Sequence, residues 1–427
     1  MTSLTLSLYS AVMVMLQPLL RRKLLRRARQ EPLYAQHIDE RFGHYTTPPG
    51  DGRAIWIHAV SLGETRTAGL LLAALRELLP EVRVLMTHGT ATGREEGRKH
   101  LRPGDVQVWL PWDTPQATRA FLAHHRPAIG ILLETEIWPN LIAQAHSLGV
   151  PVVLANARMS DKSLQQALRL KLLAQPAFAA LHAVWAQTED DARRLRQLSA
   201  PVRGVMGNIK FDATPNAAQL ALGRRWRSAS HKPVVMLASS REGEEAMWIE
   251  SIQRNPDAAQ WLVVPRHPQR FEEVAALLSA AGLSYTRRSL WGHATEATPM
   301  DAQVWLGDSM GEMALYYAMS DVALLGGSFA PLGGQNLIEA AACGCPVFMG
   351  PHTFNFSQAA ELAIQAGAAH RFADMPSALE AAVALEGQHL LDMHKAALQF
   401  ASAHRGAAKR TAQAVAEILR LTSPAGR

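Results

Sequence analysis

The chain has 427 residues, enough for about two or three domains with a substantial core. Hydrophobic residues make up 48% and charged residues 19% of it, which excludes disordered, collagen-like and coiled-coil proteins. The net charge of +6 equals the charge of one N-terminal basic cluster, so it favours a local anionic partner such as lipid headgroups over a nucleic-acid groove. This basic cluster comprises Arg21, Arg22, Lys23, Arg26, Arg27 and Arg29. The only cysteines, Cys343 and Cys345, form neither a disulfide framework nor a four-ligand zinc set, which fits a reducing cytoplasmic compartment.

The first predicted element is an uncharged apolar segment at residues 4–20, directly followed by the basic cluster. As a helix it would be about 25 Å long, just short of the ~30 Å hydrocarbon core of a bilayer. A signal peptide carries its positive charges before the apolar run, so this order favours an anchor that keeps the following chain on the cytoplasmic side. The alternative is a helix packed on its own domain, because Ser7, Ser10 and Gln17 interrupt the apolar run.

Short β-rich runs then alternate with amphipathic helical patterns. A first series of predicted strands comprises residues 54–60, 82–87, 106–111, 128–134, 151–156 and 182–187. A second series comprises residues 233–239, 260–266, 303–308, 321–327 and 346–350. Apolar strands separated by helices are typical of parallel βαβ units, so each series predicts an α/β, doubly wound, Rossmann-like domain.

The stretches without a strand pattern set the predicted domain boundaries. We expect an anchor with its basic flank at 1–30, a first domain at 31–207, a junction at 208–232, a second domain at 233–393 and a closing C-terminal helix at 394–427. Two such domains predict a ligand cleft between them, because loops at the carboxyl ends of both sheets can face each other.

The motifs of several enzyme classes are absent from the sequence. It contains no G-x-x-x-x-G-K-[ST], no G-x-G-x-x-G after the first strand and no H-E-x-x-H. A D-x-D pair, which often binds the metal of a nucleotide-diphosphate sugar, is also absent. Phosphate kinases and simple dinucleotide oxidoreductases lose most of their support, and the expectation is no metal and no cofactor.

In the first domain, charged and polar side chains follow the predicted strands. Glu64 stands at a helix start after the first strand, where a carboxylate either complements the helix dipole or accepts a proton from a hydroxyl nucleophile. Further candidates at strand ends are Glu134, Glu136, Asn156 and Arg158. These four either join the same site or only cap loops.

In the second domain, two strand-to-helix turns suit a nucleotide. Arg266 and His267 lie just before Pro268 opens a helix, and such a turn suits a phosphate. Gly311 allows a close backbone approach to a base or ribose. Lys210, at the junction, either adds a cation to the same phosphate or is solvated.

A Gly-rich loop at 324–341 leads into a helix near Asn336. Free N–H groups there would hold an anion, while Glu339 would accept bonds from ribose hydroxyls. The alternative is that Asn336 and Glu339 only form a helix-capping pair.

Nine motifs between residues 58 and 356 carry a resemblance. They are HAVSLGE, ETEIWPN, NARMS, GNIKFD, ASSREGEE, VPRHPQRF, GDSMGE, GGSFAPLGGQNLIEAAACGCPV and GPHTFNF. Together they resemble the lipid A 3-deoxy-D-manno-octulosonic acid (Kdo) transferases, membrane-bound glycosyltransferases of the GT-B fold. The resemblance covers nearly the whole chain, including the N-terminal segment. It implies CMP-Kdo as donor, a lipid A precursor (lipid IVA) as acceptor, and a position on the cytoplasmic side of the inner membrane.

The resemblance also implies residue roles, with the first domain on the acceptor side and Glu64 as general base. The residues it implies for CMP binding are Arg266, His267, Met310, Gly311, Glu312, Asn336, Leu337, Ile338 and Glu339. Candidates for phosphate or sugar contacts are Lys210, Ser240, Glu134 and Arg158. Two positions depart from the family's pattern: Gln335 stands where His is expected, and Ser240-Arg241 where Thr-His is expected.

The implied chemistry agrees with these residue types. A sugar that leaves CMP releases a phosphate monoester, which Arg266, His267 and helix N-termini can stabilise without a metal. Glu64 would deprotonate the acceptor hydroxyl as it attacks, giving inversion in one displacement. Three alternatives stay open: another membrane-associated GT-B transferase that uses a UDP-sugar, a nucleotide-sugar epimerase on the same fold, and a non-catalytic membrane tether.

Overall fold

The computed structural model describes residues 4–291 and 302–422. The chain forms two compact units, residues 1–212 with 406–427 and residues 213–405. Each unit contains a parallel sheet of seven strands with helices in the connections, which confirms the predicted doubly wound α/β class.

The sheet of the first unit has the order β3-β2-β1-β4-β5-β6-β7. Its strands are β1 (Ile55–Ala59), β2 (Val84–His88), β3 (Val106–Trp109), β4 (Ile129–Leu133), β5 (Val152–Ala157), β6 (Ala183–Ala186) and β7 (Val202–Val205). The chain winds outward from β1 to β3 and then returns to place β4 on the other side of β1. Loops that leave the carboxyl ends of β1 and β4 therefore diverge, and such switch points are where ligands bind in open α/β sheets.

The helices of this unit cover both faces of the sheet. They are α1 (Leu4–Arg27), α2 (Leu62–Leu78), α3 (Ala91–Arg98), α4 (Pro115–His125), α5 (Pro139–Ser147), α6 (Asp161–Arg169), α7 (Lys171–Ala179) and α8 (Glu189–Gln197), with short 3₁₀ helices at Pro32–Ala35, Ile38–Phe42 and Ile209–Asp212. Successive residues of a strand point to opposite faces. Trp56 of β1 accordingly packs with Phe121 in one core, whereas Ile57 packs with Leu71 in the other.

The sheet of the second unit has the order β10-β11-β9-β8-β12-β13-β14, so its winding reverses between β8 and β12. Its strands are β8 (Val234–Ser240), β9 (Gln260–Pro265), β10 (Tyr285–Arg287), β11 (Val304–Leu306), β12 (Val322–Leu325), β13 (Val347–Met349) and β14 (Ala369–Arg371). Its helices are α9 (Ala217–Ala229), α10 (Glu244–Ile252), α11 (Phe271–Ala280), α12 (Met313–Ala318), α13 (Leu337–Ala342), α14 (Ser357–Gln365), α15 (Met375–Val383) and α16 (Gly387–Ala403), with 3₁₀ helices at Pro268–Arg270 and Arg288–Leu290.

The C-terminal segment expected as one closing helix at 394–427 is divided between the units. Its first part lies in α16 of the second unit, and α17 (Ala407–Thr422) packs on α2 of the first. The Asp212 carboxylate accepts the backbone N–H groups of Gly406 and Ala408, which fixes the start of α17. The predicted junction is divided in the same way, because Ile209–Asp212 belongs to the first unit and α9 to the second.

Helix α1 combines a docked face with an exposed apolar face. Over an 18-residue window its mean hydropathy reaches 1.3, so it is long and apolar enough to cross a membrane. Yet the Ser10 hydroxyl donates to the Asn140 side chain at 2.8 Å, and the Gln17 amide donates to the Thr114 hydroxyl at 3.3 Å. The large apolar side chains exposed on its other side are Leu4, Leu8, Val12, Met15 and Leu19. The helix therefore packs on its own unit, as the alternative interpretation held, and still presents an apolar surface compatible with membrane anchoring.

Candidate active site

Three carboxylates lie where the neighbouring strands β1 and β4 end. Glu64 follows β1, Glu134 and Glu136 follow β4, and the ammonium group of Lys210 contacts Glu134 at 2.7 Å. We call these four residues the acid cluster. Their charges affect one another, because Glu134 raises the pKa of Glu64 and Glu64 raises that of Glu136. The tertiary structure thus brings together acids that are about 70 residues apart in sequence.

Glu64 occupies the first turn of α2, whose N-cap is Ser61. One carboxylate oxygen accepts the Val60 N–H at 2.9 Å, and the other accepts the Ser61 hydroxyl at 3.0 Å. Glu64 therefore does support its own helix start, but each carboxylate oxygen has a further lone pair for a ligand. Burial raises the pKa of Glu64, and the Val60 N–H works against this rise.

The backbone at Glu134 is unusual. Its φ of 60° lies in the left-handed region, which few non-glycine residues adopt. Bonds on both sides hold it there: its N–H donates to Ala155 at 3.1 Å, and its carbonyl accepts the Arg158 N–H at 3.1 Å. Conformations of this kind cost about 1–3 kcal/mol and cluster at functional sites.

Lys210 belongs to the first unit, although its place in the predicted junction suggested a phosphate contact. The Asn156 side chain accepts the Ile209 N–H at 2.9 Å and so positions the 3₁₀ helix that carries Lys210. Asn156, one of the sequence candidates, thus acts as a buried support for the acid cluster. Arg158 supports the same edge through its backbone bond to Glu134.

Glu136 has the largest pKa shift of the cluster. Burial raises its pKa to about 7, and the charge of Glu64 adds to the rise. A carboxyl group with this pKa exchanges its proton close to neutral pH. The cluster therefore holds less negative charge at pH 7 than three ordinary glutamates would.

The pKa of Glu136 predicts a pH dependence of stability. Because its pKa in the fold is about 7 against an ordinary value of 4.5, the folded state binds more protons than the unfolded state between these values. Stability contributed by this carboxyl is fully present below that window and is lost as the pH rises through it. Glu136→Gln should reduce the fall in the denaturant midpoint of the wild type between pH 5 and pH 8. Glu81→Gln, at an exposed position, is the control. If the denaturant midpoint of the Glu136 variant fell with pH as steeply as that of the wild type, the raised pKa would not belong to Glu136.

In the second unit, Arg266 and His267 follow β9 as predicted. The Arg266 N–H donates to the Ser240 carbonyl at 3.0 Å, which ties this turn to the end of β8. Burial lowers the pKa of His267, and the neighbouring charges of Arg266 and Arg241 lower it further. We call Arg241, Arg266 and His267 the cationic turn. Its imidazole is a neutral hydrogen-bonding group near pH 7, while the two guanidinium groups carry the charge.

The turn after β11 carries Met310, Gly311 and Glu312. Gly311 has a φ of 80°, a backbone conformation that only glycine adopts at low cost. Its carbonyl accepts a hydrogen bond from the Gln219 side-chain amide at 2.9 Å. The Glu312 carboxylate is already paired with Arg288 at 2.7 Å. Met310 is exposed.

Helix α13 follows the Gly-rich loop, and its first residues were expected either to bind a ligand or to cap the helix. The Asn336 side chain accepts the Ile338 N–H at 3.2 Å, so it does cap the helix. The side chains of Leu337 and Ile338 are fully buried in the unit. Of the four residues from 336 to 339, Asn336 and Glu339 carry the polar side chains.

Two motifs of this unit converge on one buried ring. Tyr317 of α12 lies within electrostatic reach of both Glu339 and Arg266, and these charges shift its pKa in opposite directions. The cationic turn and α13 thus belong to the same edge of the sheet. Arg266 and Glu339, far apart in sequence, therefore share one neighbourhood around Tyr317.

Sequence reasoning missed two carboxylates in this neighbourhood, Glu244 and Glu245. Glu245 accepts the Ser240 hydroxyl at 2.8 Å and pairs with Arg270 at 3.0 Å, so the hydroxyl of the candidate contact Ser240 is engaged inside the unit. Glu244 accepts backbone N–H groups from two loops. The signal was two consecutive acids in the first turn of a helix directly after a strand, within ASSREGEE.

Comparison with known proteins identifies the family. Residues 36–213 match the family described as 3-deoxy-D-manno-octulosonic-acid transferase (kdotransferase). The 3-deoxy-D-manno-octulosonic acid transferase of Bordetella pertussis is 50% identical over 86% of this chain and 87% of its own length. The protein of the same name from Haemophilus influenzae is 33% identical over 88% of this chain and 89% of its own. The chain belongs to the Kdo transferases.

The recognised family is thereby confirmed, and the chain is a glycosyltransferase. A solved glycosyltransferase of Rickettsia africae covers 87% of the chain with a TM-score of 0.57 and 11% identity, so it agrees in fold. The predicted GT-B class, two doubly wound units with an apolar N-terminal helix, is confirmed with it. Membership of this family argues against two of the alternatives above, the non-catalytic membrane tether and the nucleotide-sugar epimerase.

Proposed function

We propose that this Kdo transferase moves Kdo from CMP-Kdo to a lipid A precursor such as lipid IVA, with Glu64 as general base. The observation that carries the proposal is the acid cluster at the β1/β4 switch point. There a half-buried carboxylate with a raised pKa stands in the first turn of a helix. A raised pKa makes Glu64 a stronger proton acceptor than an ordinary glutamate, which suits deprotonation of a sugar hydroxyl.

The proposed reaction is a single displacement. The acceptor hydroxyl oxygen attacks the anomeric carbon of Kdo, and its proton passes to Glu64. The bond between that carbon and the phosphate oxygen breaks, and the electron pair leaves with CMP. One displacement at this carbon inverts its configuration.

The cationic turn is the proposed site of the CMP phosphate. Arg266 and Arg241 supply positive charge where negative charge grows on the leaving phosphate, and neutral His267 supplies a hydrogen bond. Gly311 leaves space above its backbone, since, apart from its two chain neighbours, no described residue has an atom within 4 Å of where a Cβ would stand. Glu339, in the same neighbourhood, is the proposed partner of the ribose hydroxyls.

The position of α1 supports a specific mode of membrane attachment. Its polar side chains Ser10 and Gln17 contact the protein, and its large apolar side chains face outward, the reverse of a soluble surface helix. Helix α7 packs against it, and the nearby Leu170 and Leu172 are also exposed. We propose that α1 lies in the plane of the inner membrane on its cytoplasmic side.

The basic cluster, which occupies the last two turns of α1 and the nearby Arg29, provides the second membrane signal. Arg21 pairs with Asp39 at 3.3 Å, but the other five basic residues of this flank are exposed to meet anionic headgroups. An apolar helix face and a polybasic flank together give stable attachment where either alone is marginal. The acceptor is then reached at the membrane surface.

Glu64→Gln tests the base. The amide keeps the size of the side chain and one acceptor oxygen for capping, but it cannot take a proton from the acceptor. We expect unchanged CMP affinity and a turnover about 10² to 10⁴ fold lower, the usual contribution of a general base. Exposed Glu77→Gln on the same helix is the matched control. A Glu64 variant with a near wild-type rate would remove Glu64 from this role.

Arg266→Ala tests the phosphate site. Loss of one charge-assisted hydrogen bond, about 1.5–3 kcal/mol, should weaken CMP binding by about 10 to 150 fold in calorimetry. Exposed Arg254→Ala, in the loop between α10 and β9, removes the same charge elsewhere in the unit and should leave the affinity unchanged. Equal affinities of both variants would contradict the assignment.

The in-plane position of α1 is tested by depth. A fluorophore on Leu4→Cys, Val12→Cys or Leu19→Cys should be quenched equally by shallow membrane quenchers in anionic vesicles, at about 5–10 Å depth. The endogenous cysteines are buried, and Leu148→Cys should stay unquenched. A helix that spans the bilayer would place position 12 deep and positions 4 and 19, about 22 Å apart, at different depths.

A further inference from the structure

The first part of the Gly-rich loop after β12, residues 326–330, is closed to an external anion in an unexpected way. Sequence reasoning expected free N–H groups in this motif, but every amide from residue 326 to residue 330 has an internal acceptor. The Gly326 N–H donates to Ala238 at 2.9 Å, and the Ser328 N–H donates to Leu325 at 3.3 Å. The other three N–H groups all donate to one carboxylate.

That carboxylate is Glu244 at the start of α10. It accepts the N–H groups of Gly327 at 2.6 Å, Phe329 at 3.1 Å and Ala330 at 3.2 Å. It also accepts the Arg241 N–H at 3.0 Å. Clustered backbone N–H groups of this kind form a nest that binds phosphate in many nucleotide sites. Here a fully buried side chain of the protein takes the place of the phosphate.

The packing around the loop keeps this arrangement closed. A Cβ on Gly326 would stand 2.3 Å from the Ser239 carbonyl, so only glycine allows the ends of β8 and β12 to approach so closely. The loop then folds back on itself, because the Gly334 N–H donates to Gly327 at 2.8 Å. The Glu244 carboxylate is therefore built into the unit: burial raises its pKa, and the four backbone N–H donors work against this rise.

The closed nest lies next to the proposed phosphate site. Strand β8 pairs with β9, which leads to Arg266, and with β12, which leads to the loop. Arg241 links both, because its backbone bonds to Glu244 and its charge acts on His267. A second phosphate on the nucleotide would meet a buried anion and amides that are already occupied.

We propose that Glu244 is a specificity-determining residue that makes the second unit select a nucleotide with one phosphate over one with two. The proposal rests on the proposed function in placing the donor nucleotide at this unit. An added phosphate ordinarily strengthens binding to a cationic site. Here like-charge repulsion from Glu244 and the filled nest remove that advantage.

The test compares CMP and CDP binding to the full-length protein in detergent by calorimetry. The wild type should bind CMP more tightly than CDP. Glu244→Gln removes the charge and replaces one acceptor oxygen by an NH₂ group, so loop amides are freed. Its preference for CMP over CDP should fall by about tenfold. Glu244→Asp keeps the charge and should keep more of the preference than the Gln variant does.

The matched control is Asp321→Asn. Asp321 is a buried carboxylate at the opposite end of the same strands, where it accepts the Val234 N–H at 2.7 Å and pairs with Arg227 at 2.8 Å. This variant should lower the melting temperature and leave the CMP preference unchanged.

Three results would overturn the proposal: a wild type that binds CDP as tightly as CMP or more tightly, a Glu244→Gln variant with an unchanged preference, or an equal loss of preference in the Asp321 variant. The wild-type comparison decides even if the Gln variant does not fold. A wild type that binds neither nucleotide would instead contradict the proposed donor.

Discussion

The structure depends on one constraint of parallel sheets. Parallel pairing puts the carboxyl ends of all strands of a sheet at the same edge, and reversal of the winding leaves a crevice between two neighbouring strands. The reversals fall between β1 and β4 and between β8 and β12. Glu64 and Glu134 follow the first pair, and Arg241 and the Gly-rich loop follow the second. The candidate residues therefore converge by topology, although they are far apart in sequence.

Buried carboxylates connect the loops that this topology brings together. Asp113 accepts the N–H groups of Asn140 and Leu141, Asp212 holds the start of α17, and Glu244 joins the turn after β8 to the loop after β12. A carboxylate has several acceptor sites and gains from charge-assisted bonds, so one side chain satisfies several backbone groups. These bonds hold the edges of both sheets in one conformation before any ligand binds.

Most of the regular structure was predictable because it follows from local patterns. Buried parallel strands are continuous apolar runs, and eleven of the fourteen strands were predicted. The three that were missed, β7, β10 and β14, lie at sheet edges and have the sequences VRGV, YTR and AHR. Edge strands are short and half-exposed, so they lack the apolar signal. The family resemblance was predictable for the same reason, because it rests on short motifs and on their order along the chain.

The sequence by itself determined the alternation of strands and helices, the apolar segment with its basic flank, and the positions of candidate acids and cations. Only the tertiary structure decided which of them meet: Lys210 with Glu134, Ser240 with Glu245, and Glu244 with the loop amides. It also decided that the polar side chains of α1 face the protein. The physical reason is that composition and apolar periodicity are properties of neighbouring residues, whereas burial, hydrogen bonds and pKa shifts depend on residues far apart in the chain.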